Sequence, residues 1–249
     1  MAGHSHWSNI ARKKSVIDAK RGKLWSKLAK AIIIAAKLGG GDPAANLKLR
    51  IAIDTAKAVS MPKDNIERAI KAGTGESKAG NLEEILYEGY GPGGVAVLCE
   101  ILTDNRNRTA GEVRKIFEMS GGKLGETGCV AWMFERKGLI IIPLTAIEED
   151  ALMELALEAG ADDVKRTGDS YEVTTDPSNF GKVCEALEQR QIKPDSSEIT
   201  RISSTTVELD ADSGRKMLKL AEALDDHDDV QKLAANFNIP DEAMAAIGE

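Results

Sequence analysis

An α+β fold is predicted from three features of the sequence. The first 75 residues carry apolar positions at helical spacing, interrupted by Gly39-Gly40-Gly41 and by Met61-Pro62. Beyond residue 80 the pattern alternates between strand-like and helix-like runs. Residues 136–204 read in the order β-α-β-β-α-β of a ferredoxin-like unit. The predicted architecture is an N-terminal three-helix basic domain followed by two ferredoxin-like α/β domains, one inserted in the other. At 249 residues the chain is long enough for more than one core. Domains are expected at 1–75, at 80–135 together with 205–249, and at 136–204, with 73–80 as a Gly-rich linker.

The first helix is expected over 23–38, where Leu24, Leu28, Ala31, Ile32, Ala35 and Leu38 share one side and Lys23, Lys27, Lys30 and Lys37 gather on another. Asp42-Pro43 reads as an N-cap and first helical residue, opening a helix that runs to about Val59. Met61-Pro62 repeats the device for a third helix, 63–72, stopped by Gly73. Residues 94–103 (GVAVLCEILT) read as a strand and 109–119 as a helix. Short strands are expected at 122–124 and 129–134. The inserted series comprises strand 139–143, helix 147–159, a hairpin of 163–166 and 171–175, helix 179–190 and strand 197–203. Strand 207–209, helix 213–224 and strand 229–237 follow, and return the chain to the outer domain.

Charge divides the molecule. Residues 1–75 hold 15 Lys and Arg against 5 Asp and Glu, a net +10, whereas 76–249 carry −17, giving the formal −7 of the whole chain. Such a split points to nucleic acid or another anionic surface. Solvated helix faces explain most charge runs. Here Asp18 is the only acidic residue before Asp42, and like charges at i,i+3 and i,i+4 oppose a helix. The candidate phosphate contacts are therefore Arg12, Lys13, Lys14, Lys20, Arg21, Lys23, Lys27 and Lys30. Arg106 and Arg108, within 104–109 (DNRNRT), stand where a helix N-terminus favours anions, although capping alone accounts for that run equally well.

Other chemistry finds little support. No nucleophile elbow, Cys-x-x-Cys, His-Glu-x-x-His or P-loop occurs, so no enzyme is expected and no cofactor. His4 and His6 could share a metal ion but lack further ligands nearby. His227, inside 225–229 (DDHDD), lacks the spacing of a calcium loop and reads as a solvated acidic turn, so no metal site is expected. Cys99, Cys129 and Cys184 are scattered in apolar stretches, as reduced thiols of a cytoplasmic protein would be. The longest apolar run, 31–36, is far short of a membrane span. With only 4% aromatic residues, a base-stacking surface would be poorly supplied.

Several stretches together carry a family resemblance: MAGHS with Trp7, DAKRGK at 18–23, NLKLR at 46–50, MPK at 61–63, YEGYGPGG at 87–94, TDNRNRT at 103–109, and Gly121-Gly122 with LGETG at 124–128. The chain closely resembles the YebC/PmpR family. His6 stands where relatives usually have Lys. The resemblance implies a helical N-terminal domain and two α/β domains around a cavity, and a DNA-binding transcriptional regulator. The alternative it implies is a factor acting on ribosomal RNA or the ribosome, as the mitochondrial relatives activate translation. A protein partner at the acidic surface is a further expectation, and no membrane partner is expected.

Overall fold

The structure, a computed structural model, describes residues 19–76 and 82–248. Three helices open it: α1 (Ala19–Gly39), α2 (Leu47–Ala58) and α3 (Lys63–Gly73). Their core joins Ile32, Ala35 and Ala36 of α1 to Leu49, Ile53 and Ala56 of α2 and Ile66 and Ala69 of α3, with Met61 between. Small residues let α1 and α3 touch closely. A Cβ on Gly73 would lie 2.4 Å from the Ile33 carbonyl oxygen.

The start of α2 departs from the sequence reading. Asp42 closes only a local turn, its carboxylate accepting from Ala44 N–H at 2.9 Å. The cap is Asn46, whose side-chain oxygen accepts from Leu49 N–H at 3.1 Å while its amide donates to Ala35 O (2.8 Å) and Gly40 O (2.9 Å). One buried amide thus satisfies backbone groups at the end of α1 and the start of α2, which Asp cannot do because it has no donor.

The first sheet contains β1 (Glu83–Tyr90), β2 (Ala96–Thr103), β3 (Lys123–Leu124) and β9 (Val230–Ala235), in the order β3-β1-β2-β9 and antiparallel throughout. Two helices cover one face, α4 (Arg106–Met119) and α7 (Ala211–Asp225). Val113 and Phe117 of α4 and Met217, Leu220 and Leu224 of α7 pack on Val97, Cys99 and Ile101 of β2. The alternate residues Ala96 and Leu98 face Val130 and Phe134 on the other side, so β2 is buried on both faces, as its apolar run, interrupted only by Glu100, requires. Strand β1 was not foreseen, because Glu83, Glu84 and Glu88 mask its alternation. Residues 129–133, expected to open a strand, instead form a loop with a 3₁₀ turn at Ala131–Met133.

The second sheet lies between β3 and β9 in the chain. It contains β4 (Phe134–Pro143), β5 (Ala161–Thr167), β6 (Ser170–Thr175) and β7 (Ser196–Ser203), in the antiparallel order β5-β6-β4-β7. Helices α5 (Glu149–Glu158) and α6 (Phe180–Gln189) supply Leu152, Val183 and Leu187 to its core. Its central strands β4 and β6 are separated in sequence by a helix and a strand. In the first sheet the central pair, β1 and β2, is a simple hairpin, so the two units share layers but differ in connectivity.

A parallel pair, β8 (Val207–Glu208) with β10 (Phe237–Asn238), and a last helix α8 (Asp241–Gly248) complete the fold. Polar pairs tie the sheets together: Arg201 of β7 to Glu100 of β2 at 2.9 Å, and Lys232 of β9 to Glu198 of β7 at 2.7 Å. Among the described residues, no helix is long and apolar enough to cross a membrane.

Candidate nucleic-acid interface

Lys23, Lys27 and Lys30 recur every three or four residues and so form one stripe along α1. That stripe lies against residues 225–229, where α7 ends. Lys23 Nζ donates to Asp226 O at 3.2 Å, Lys27 Nζ donates to Asp225 O, and Lys30 Nζ donates to Asp228 O at 3.0 Å. The carbonyls at a helix C-terminus lack partners within the helix and carry its partial negative charge, so ammonium groups suit them. The carboxylates add to this, with Lys27 Nζ 3.6 Å from Asp225 Oδ1 and Lys30 Nζ 2.5 Å from Asp229 Oδ1.

Asp229 is the centre of the arrangement. Its side chain is only 4% exposed, yet four groups donate to it: Lys30 on Oδ1 and, on Oδ2, Arg108 at 2.8 Å, Thr109 at 2.6 Å and Thr103 at 3.1 Å. Burial alone would raise the carboxyl pKa. The hydrogen bonds from Lys30, Thr109 and Arg108 outweigh it and hold the group well below the usual carboxylate range. His227 completes the cluster. Its Nδ1 accepts from Asp229 N–H at 3.1 Å, which leaves Nε2 to donate to Glu112 at 3.0 Å. Glu112, His227 and Asp229 bring three metal-type donors together. Their atoms, however, are already engaged by two cationic side chains and a backbone N–H, so a cation would have to displace Lys30 and Arg108.

The residues expected to grip phosphate are therefore placed unevenly. Arg12, Lys13 and Lys14 lie outside the described residues, and Lys20 and Arg21 belong to the first turn of α1. Lys23, Lys27 and Lys30 are engaged inside the molecule rather than presented bare. Lys30 in particular turns onto a buried carboxylate, and the reading of 225–229 as a solvated turn gives way to a docking surface for α1. Arg106 and Arg108 fall in the first turn of α4, where Asn105 is the N-cap through Arg108 N–H at 3.1 Å. Arg106 is exposed, while Arg108 binds Asp229 and Asp104.

Comparison with known proteins places this arrangement in a family. Residues 5–76 match the model of the TACO1/YebC protein N-terminal domain, and residues 82–237 match that of the TACO1/YebC second and third domain. The chain belongs to the TACO1/YebC family. A Geobacter sulfurreducens relative named "Probable transcriptional regulatory protein" is 57% identical over 244 residues, 98% of each chain. One from Pelotomaculum thermopropionicum with the same name is 56% identical over 243 residues, 97% of this chain and all of its own. The crystal structure of a conserved hypothetical protein from Aquifex aeolicus superposes with a TM-score of 0.83 at 47% identity, covering 92% of this chain and 94% of that one.

In this TACO1/YebC chain, sequence reading missed a second buried carboxylate. Glu88 of β1 is 2% exposed and accepts from three backbone N–H groups, those of Gly128 (2.6 Å), Val130 (2.9 Å) and Ala131 (2.7 Å). Burial would raise its pKa, but these donors more than compensate and lower it. The loop it holds carries Trp132, 72% exposed. Its signal in the sequence was an acidic residue two positions from Leu86 and Tyr90 on the same strand face, a place where an unpaired charge would not persist.

Proposed function

We propose that this protein is a nucleic-acid-binding regulator of transcription whose N-terminal helical unit contacts the phosphate backbone. The observation that carries the reading is the lysine stripe of α1, a row of ammonium groups on one helix face whose present partners are the carbonyl and carboxylate oxygens of 225–229. The names of the relatives support it, as does the net +10 on residues 1–75. The chain works as three units, 1–75, 80–135 with 205–249, and 136–204, with the net positive charge concentrated on the first. Arg12, Lys13, Lys14, Lys20 and Arg21 make the first contacts, with Arg106 alongside. Lys23, Lys27 and Lys30 contribute when phosphate replaces the 225–229 segment. Contacts of this type position a protein without reading sequence. No catalytic step is assigned.

The test is a binding titration against promoter-length duplex DNA at rising salt. Each phosphate neutralised contributes a slope of about −0.9 in log K against log salt, so 6–10 contacts lose roughly a thousandfold or more between 50 and 200 mM. Replacing Lys20, Arg21 and Lys23 with Ala should flatten that slope by about two to three. Salt-independent binding, or a chain that ignores DNA while sedimenting with ribosomes, would overturn the proposal.

A further inference from the structure

Trp132 and Tyr90 form a small aromatic surface whose rings are fixed and whose polar edges are already used. Trp132 Nε1–H donates to Cys129 O at 3.2 Å, and Tyr90 O–H donates to the same carbonyl at 3.1 Å. The two side chains therefore converge on one point. Tyr90 is 40% exposed and Trp132 is 72% exposed. Glu88 fastens the loop beneath them through its three backbone hydrogen bonds. Tyr90 pairs across the sheet with Lys123, which is exposed and shares its face.

Gly89 and Gly91 flank Tyr90 but face the helix-covered side of the sheet, where a Cβ would meet Phe117 at 2.8 Å and Met217 at 2.6 Å, so Tyr90 is the side chain this stretch presents on the open side. What the surface offers is ring faces with a cation beside them and no free N–H or O–H donor on either ring. The adjoining loop, 125–128 (GETG), is polar and exposed. An unpaired nucleobase fits this chemistry, because every base has a π-face and needs no edge readout to stack.

We propose that Trp132 and Tyr90 are a stacking platform for an unpaired base of single-stranded nucleic acid, with Lys123 beside the adjoining phosphate. The inference rests on the nucleic-acid reading and extends it from phosphate contact to base contact.

The full-length chain is titrated with an oligothymidylate and an oligouridylate of roughly 12 nucleotides, and with an abasic phosphodeoxyribose strand of the same length. Expected is binding of both base-bearing strands about tenfold or more tighter than the abasic strand, the size of one stacking contact. Trp132→Ala should abolish that difference and Trp132→Phe should keep most of it, each with the salt slope unchanged. Lys123→Ala should instead lower the slope by about one. Trp132 is too exposed to support the core, and an unshifted thermal melt of the Ala variant verifies this. Equal binding of abasic and base-bearing strands, or equal binding by wild type and Trp132→Ala, overturns the platform while leaving salt-dependent phosphate binding intact. If no single strand binds at all, the platform falls, while the duplex titration decides the nucleic-acid reading separately.

Discussion

Asp229 and Glu88 show how a single buried carboxylate is made to cost less than its desolvation. Each is closed off from water and each compensates with donors, four side chains for Asp229 and three backbone N–H groups for Glu88. Asp229→Ala would leave Lys30 and Arg108 facing each other with no anion between them. A loss of about 3 kcal/mol in urea unfolding is expected, as for a broken buried ion pair. Because both carboxyl groups have lowered pKa values in the folded chain, the unfolded chain takes up protons first as pH falls. Their stabilisation is complete above roughly pH 5 and drains away as the pH drops below about 4. Urea midpoints measured from pH 6 to pH 3 should fall steeply for the wild type and less so for Glu88→Gln. The thiols behave in the opposite sense. Burial pushes Cys99 up to about 12 and raises Cys184 and Cys129, so alkylation at pH 8 should leave Cys99 unmodified in the native state.

Among the elements, helices were the more legible. The lysine and apolar stripes of α1 and the Pro and Gly signals around α3 are local features, and local features survive into the fold. The errors came where a distant partner decides. Asp42 is a good cap by residue type, but the cap position belongs to Asn46 because only an amide can serve the ends of two helices at once. Asn46→Ala should lower the melting temperature by several degrees, corresponding to about 2 kcal/mol from a lost cap and two stranded carbonyls. Asn46→Asp should recover only the cap. Strand β1 escaped notice because its glutamates look solvated, yet Glu88 is fully buried against a loop some forty residues away. Residues 129–133 looked like a strand because they are apolar, but Val130 and Ala131 donate to Glu88 and Cys129 and Met133 to the local carbonyls of Glu126 and Val130, rather than to a neighbouring strand.

For the whole molecule, charge separation in sequence became charge contact in space. The basic first helix and the acidic end of α7, about 200 residues apart, meet through Lys23, Lys27 and Lys30. Polyanion binding and this internal contact draw on the same lysines. Replacing Asp225 and Asp226 with Asn should therefore tighten DNA binding, by roughly threefold to tenfold at 50 mM salt and less at 200 mM, where screening shortens the reach of both. Fluorescence anisotropy on a labelled duplex would measure it. Weaker binding in that variant would show that the acidic segment positions the lysines for phosphate rather than competing with it.

The sequence by itself determined the helical opening, the α+β class, the β-α-β-β-α-β order of the middle unit, the family, and the imbalance of charge. The family rests on the resemblance of its matching stretches, and the rest on periodicity, turn residues and composition, all of which act within a few residues. Only the tertiary structure decided which cations are engaged, that Asp229 and Glu88 are buried and satisfied, and that two aromatic rings converge on the carbonyl of Cys129. Burial and pairing depend on which distant segment a side chain meets, and that is set by packing of whole elements rather than by any local run of residues.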